Sequence, residues 1–154
     1  MTRCWRLDSC DPVGQFIPAA ARVLNGFNVL CIEHSGTISP ALELYARYRT
    51  DRAYLPLRDT ISPHTNLYYC RLIPEFADEL QELAESHELS DLLWHIRGYD
   101  GKRMIFYSHD ACDTSDIWIT PRFQEGIASQ LATEAGCPLR SIEAGIEWDT
   151  LQAR

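Results

Sequence analysis

The apolar positions of this chain alternate between near-continuous runs and a 3.6-residue period. Phe27–Ile32 (FNVLCI) is near-continuous and suits a strand covered on both faces, and Leu67–Ile73 (LYYCRLI) reads as another strand. Ile117–Ile119 is a shorter run, and residues 3–7 (RCWRL) read as a short edge strand. Helical spacing appears four times. Residues 16–25 suit a helix that Gly26 would close in the left-handed conformation. Ser39-Pro40 reads as an N-cap followed by proline, opening a helix to about Arg49 with Ala41, Leu44, Tyr45 and Tyr48 on one face. Pro74 opens a third helix with Phe76, Leu80, Leu83, Ala84 and His87 in its stripe. Thr120-Pro121 repeats the cap-then-proline pattern, with Phe123, Ile127, Leu131 and Ala135 in register and Gly136-Cys137-Pro138 as the stop.

The clearest local signal lies at 92–108. Asp100-Gly101 between two apolar runs is a type I′ hairpin signature. With those two residues as the loop, Ile96 faces Ile105 and Trp94 faces Tyr107. Leu92, Trp94, Ile96, Ile105 and Tyr107 then form an apolar layer. Leu93, His95, Arg97, Met104 and Phe106 fall on a mixed second face, which the pattern assigns neither to solvent nor to a cover. The order β-α-β-α-β-α-β-β-β-α predicts an α+β fold. Its sheet is expected to be mixed, with an antiparallel C-terminal meander over about 92–119 and helices packed on it in two or three layers. Ile142, Ile146, Trp148 and Leu151 predict that the 137–154 tail docks. At 154 residues, 45% of them apolar, the chain is expected to form one domain over 1–154.

Charge changes this picture. The chain carries 22 acids against 14 bases, a net of −8. Seven of the acids fall within 74–91 (PEFADELQELAESHELSD), with no Lys or Arg among them; elsewhere 15 acids face 14 bases. The third helix is therefore a strongly acidic element on a near-neutral body. Such a concentrated field attracts basic partners and repels nucleic acid and anionic lipid. Ordinary surface helices mix signs to gain i,i+4 pairs, and this one forgoes them.

No run reaches 18 apolar residues and the start lacks an apolar signal-peptide core, so neither a membrane span nor secretion is expected. Six scattered cysteines without a C-x-x-C fit reduced thiols in the cytoplasm. There is no Gly-rich phosphate loop and no G-x-S-x-G, and no cofactor is expected. Tyr45, Arg47, Tyr48, Arg49, Arg52, Tyr54 and Arg58 interleave base and aromatic, as single-strand nucleic-acid binders do. Asp51 and Asp59 interrupt that series, and the net charge argues against nucleic acid. His109, Asp110, Cys112, Asp113 and Asp116 crowd one loop at a spacing that matches no zinc or calcium pattern; they read as a turn and a second acidic patch.

The leading expectation is a small acidic cytoplasmic protein-binding module that neutralises a basic protein partner. Its concrete form is an immunity-type inhibitor of a bacterial toxin such as a nuclease. The expected contacts are Glu75, Glu79, Glu82, Glu85, Asp110, Asp113 and Asp116, with Arg97, Trp118 and Phe106 as anchors if the second sheet face is open. Catalysis is the less favoured class, and no catalytic residue or metal site is assigned. Its form would be a small hydrolase or transferase around Glu33 and His34, at the end of the 27–32 strand, where α/β sites form. Cys31 beside them reads as a buried structural thiol.

Overall fold

A computed structural model describes residues 2–51, 65–113, 116–121, 123 and 125–144. Seven strands form one sheet: β1 Thr2–Leu7, β2 Val29–His34, β3 Asn66–Arg71, β4 His95–Asp100, β5 Arg103–Ser108, β6 Ile117–Ile119 and β7 Leu139–Ala144. Their spatial order is β3-β2-β4-β5-β6-β1-β7. The helices are α1 Ile17–Val23, α2 Ser39–Arg47, α3 Pro74–Ser86, α4 Leu89–Leu92 and α5 Glu125–Ala135. The α+β class and the antiparallel meander β4-β5-β6 are as the sequence predicts. Parallel pairing, expected from the early βα alternation, does not occur: every described pair is antiparallel. The reason is topological. β1 lies next to β6 and β7, at the other side of the sheet from β2, so the first βα unit never closes a parallel crossover.

β1 is not an edge strand, because β7 pairs along its whole length from Thr2↔Ala144 to Leu7↔Leu139. This is the docking of the tail, over residues 139–144; Ile146, Trp148 and Leu151 lie outside the described residues. Gly26 does not close α1, which ends instead on the extended Leu24. Gly136, at φ +70°, does close α5 in the left-handed region that glycine favours. Ahead of α1, a single π-helical turn at Pro12–Phe16 is capped reciprocally. The Asp11 carboxylate accepts the Val13 amide (3.1 Å), and the Asp11 amide donates to Gln15 Oε1 (2.9 Å).

The helix-covered face of the sheet holds Trp5, Leu7, Leu30, Ile32, Ile96, Phe106, Ile117 and Ile119. They pack against Phe16 and Ile17 near α1, Leu44 and Tyr45 of α2, Phe76 and Leu80 of α3, and Leu131 of α5. Each large side chain so buried contributes roughly 1.5–3 kcal/mol. The opposite face carries its own cluster of Cys4, Val29, Cys31, Tyr99, Met104 and Tyr107.

The hairpin departs from the type I′ register. Asp100 pairs with Arg103, so the turn residues are Gly101 and Lys102, with Gly101 at φ +60°. This Gly-first arrangement fits a type II′ turn. Between Gly98/Tyr99 and the partner strand lies a bulge: Gly98 faces Phe106 and Tyr99 faces Met104, leaving Ile105 as the extra residue. The bulge exchanges the faces of two side chains. Phe106 turns into the helix-covered core, and Tyr107 turns to the opposite face.

Thr120 satisfies the bulged backbone. Its amide donates to the Ile105 carbonyl (2.9 Å) and its buried hydroxyl to that of Met104 (3.1 Å). That is why Thr120 does not cap a helix, and α5 begins at Glu125.

Candidate functional site

The acidic helix forms as its spacing requires. Phe76, Ala77 and Leu80 are buried, and Leu83 and Ala84 are packed against the core. Opposite them, Glu75, Asp78, Glu79, Glu82 and Glu85 recur at three- and four-residue intervals and make one stripe. Glu75, Asp78, Glu82 and Glu85 are exposed, as are Glu88 and Asp91 beyond the helix end. Glu79 differs: Arg47 of α2 reaches it at 3.3 Å, and the Tyr48 hydroxyl hydrogen-bonds to it. Among the described residues no ion pair reaches the other acids of the stripe. Like charges three and four residues apart cost roughly 0.2–0.5 kcal/mol per pair. Glu85 also sits near the negative end of the helix dipole.

The remaining expected contacts do not join this stripe. α3 lies on the helix-covered side, whereas Arg97 and Trp118 project from the opposite face. Phe106 is not an anchor on that face, because the bulge buries it in the helix-side core. Arg97 is not an open anchor either. It pairs with Glu33 at 3.4 Å, with the two side chains 8% and 2% exposed. The Thr65 hydroxyl donates to the other Glu33 oxygen (2.5 Å). Burial works against the charge of Arg97, but Tyr99, Cys31 and Glu33 together more than offset it, so the guanidinium stays protonated.

One cross-strand row spans all seven strands on this face: Tyr69, Cys31, Arg97, Tyr107, Trp118, Arg6 and Arg140. Strand register alone brings these distant residues together. Tyr107 stacks on Trp118 with the rings 6° apart in plane, and the Arg6 guanidinium lies 5.4 Å from the Trp118 ring. Asp8 holds Arg6 (2.6 Å) and Arg140 (3.2 Å), and Asp116 lies 4.0 Å from Arg6. Burial pushes the Tyr107 phenol up to about 12.

Beside this row, His95 Nδ1 accepts the Asp110 amide (2.8 Å), which places the proton of the neutral ring on Nε2. Asp110 stands in the left-handed region (φ 53°), and its carbonyl accepts the Asp113 amide (2.8 Å), so the expected acidic patch there is a turn built around His95. His109 rests on Tyr107 and faces His95. Burial, then Arg97 and His95, lower its pKa against the opposing pull of Asp110 and Glu33. No group of three or more His, Cys, Asp or Glu side chains among the described residues is arranged to hold a metal ion.

Glu33 and His34 point to opposite faces. His34 Nε2 donates to the Ser90 carbonyl (2.6 Å), and His34 Nδ1 accepts the Gly36 amide (2.8 Å). Thr37 and Tyr45 donate in the same way to the Asp91 and Leu92 carbonyls. His34 therefore helps satisfy the C-terminal carbonyls of the short helix α4, which have no partner within it. With both nitrogens engaged and the ring against Trp94, His34 has no free lone pair for base catalysis. Cys31 is buried, 2% exposed. Tyr45 is buried and Tyr48 packs edge-on to Phe76, so these members of the base–aromatic series serve the core. Arg52, Tyr54 and Arg58 lie outside the described residues. No helix of the described residues is long and apolar enough to cross a membrane. Comparison with family models, curated proteins and solved structures finds no match for this chain.

Proposed function

We propose that the chain is a small acidic protein-binding module that captures a basic protein through α3, in the manner of an immunity-type inhibitor of a cationic toxin. One observation carries this reading. The exposed stripe of Glu75, Asp78, Glu82 and Glu85 repels itself along the helix, and Arg47, the one base paired to it among the described residues, is engaged by Glu79 at its edge. A partner bearing a matching row of Arg or Lys relieves that repulsion and gains steering. Asp110, Asp113 and Arg97 have local structural roles and fall outside the proposed surface. Trp118 lies on the other sheet face and is outside it too.

The internal pair at Glu79 decides how the test is built. Reversing Glu79 would also disrupt a contact within the protein, so Asp78, Glu82 and Glu85 are reversed to Lys instead. Immobilised wild type and this triple variant are exposed to lysate of the native host at low salt, and retained proteins are identified by mass. The purified partner's association rate is then measured against both. We expect a basic protein that salt releases, with an association rate at least about tenfold lower for the variant. An equal rate for the two proteins overturns the reading.

A further inference from the structure

A cleft of about 490 Å³ opens where the end of α1 meets the β4–β5 hairpin and α5. Its size falls within the roughly 300–1,000 Å³ of small-molecule sites. Ile105, Phe123 and Ile127 supply an apolar wall. Asp100 and Arg103, cross-strand neighbours flanking the turn, bring opposite charges to the same cleft. They make no ion pair with each other within 4.0 Å, nor with any other described residue. Directly opposed charges on a hairpin ordinarily pair.

Asn28, at the start of β2, also lines the cleft. It is 4% exposed, and its side-chain oxygen has no hydrogen-bond partner among the described residues. Its backbone is fully used: the amide donates to Asn25 (3.2 Å) and the carbonyl accepts from Leu72 (3.1 Å). Buried polar side chains are almost always satisfied, and the exceptions ask for a ligand, a water or a function. The Asn28 oxygen is thus an unused acceptor in the wall of the cleft.

We infer that this cleft binds a small zwitterion with an apolar side chain, namely a free α-amino acid of the leucine or phenylalanine type. Asp100 takes the ammonium and Arg103 the carboxylate. The side chain lies on Ile105, Phe123 and Ile127, and Asn28 supplies the remaining polar contact. A hydrophobic anion would leave Asp100 repelled, and a hydrophobic cation would leave Arg103 repelled. Only a ligand bearing both charges suits both residues.

The test is calorimetric titration of the full chain with L-leucine, L-phenylalanine, N-acetyl-L-leucine and L-leucinamide. Saturable binding of the free amino acids is expected, with each blocked form weaker by roughly tenfold or more, as the loss of one charge-assisted hydrogen-bonded contact implies. Asp100→Asn should weaken leucine and leucinamide but not N-acetyl-leucine. Arg103→Gln should weaken leucine and N-acetyl-leucine but not leucinamide. Both residues are exposed on the hairpin, and circular dichroism is the check that each variant folds. Asn28→Ala should weaken leucine, leucinamide and N-acetyl-leucine alike, since Asn28 faces neither charge. The inference is overturned if no free amino acid binds saturably, if blocked and free forms bind alike, or if the two charge variants do not separate the blocked ligands.

Discussion

On the helix-covered face of the sheet, Leu30, Ile96, Phe106 and Ile119 interlock with apolar side chains from the helices. On the opposite face, the same strands bury Glu33 against Arg97 and set His95, His109, Tyr107 and Trp118 around them. One face is held by shape and the other by the pairing of polar groups. They should fail differently. Damage to the first leaves cavities or clashes, whose cost follows volume. Damage to the second leaves charges without partners, whose cost vanishes when both partners are replaced together.

The largest expected effect probes the first face. Gly98 sits directly under the Phe106 ring, and a Cβ added there would overlap that ring's atoms. Phe106 in turn packs edge-on against Phe16 at 4.7 Å. Gly98→Ala therefore has to expel Phe106 from the core. It should destabilise by about 3–5 kcal/mol, comparable to Phe106→Ala. Combining the two substitutions should recover much of the sum, because the clash disappears with the ring. Urea unfolding of the two single variants and the double variant measures this coupling. Strict additivity would mean that the overlap at Gly98 is not what excludes a larger residue.

The second face is probed by its ion pair. Glu33→Leu leaves Arg97 charged in a buried site and should cost about 3 kcal/mol. Glu33→Leu with Arg97→Met removes both charges and should return close to wild-type stability. If the double variant is no better than the single, the pair supports the sheet through the hydrogen bonds from Thr65 to Glu33 and between Arg97 and Tyr99, and not through charge balance.

The two faces also differ in how far the sequence reveals them. The strand at Leu30–Ile32, the acidic stripe of α3 and the meander are local patterns, and periodicity of two or 3.6 residues finds them. The bulge at Gly98 is legible only in hindsight, as a glycine within an apolar strand. It displaces Phe106 and Tyr107 onto faces that simple alternation assigns the other way. The row from Tyr69 to Arg140 depends on strand order, and the N-terminal β1 lies between the C-terminal β6 and β7, which no local signal encodes. The cleft is non-local for the same reason. Asn28, Asp100 and Arg103 are unremarkable residues in turns and strand ends; the pairing of β2 with β4 and of β4 with β5 brings them together, and α5 adds Ile127 to the wall. Conversely, Glu33-His34 looks like a site in sequence because the two are adjacent. In a strand, adjacent side chains face opposite ways.

The smallest expected effect is a pH dependence that belongs to the second face alone. His109 has a folded-state pKa below the ordinary 6.5, first because of burial and then because of Arg97 and His95, while Asp110 and Glu33 pull the other way. The unfolded chain, titrating at about 6.5, therefore binds this proton at a pH where the folded protein does not. Stability from this source is complete above 6.5 and is lost as the pH falls through the folded-state value. His109→Asn removes the titration while keeping a polar side chain. The difference in unfolding free energy between wild type and variant, followed from about pH 8 to pH 5 where histidine titrates, should be constant at the alkaline end. Below 6.5 it should move steadily against the wild type. The other histidines are common to both proteins and cancel in this difference, provided that His95 keeps the Asp110 amide. A difference that stays constant across the range would mean that His109 is solvated alike in both states and that the polar cluster ends at Tyr107. A difference moving in favour of the wild type on acidification would mean that Asp110 and Glu33 dominate over burial and Arg97, and the cluster would then hold a cation more readily than a neutral ring.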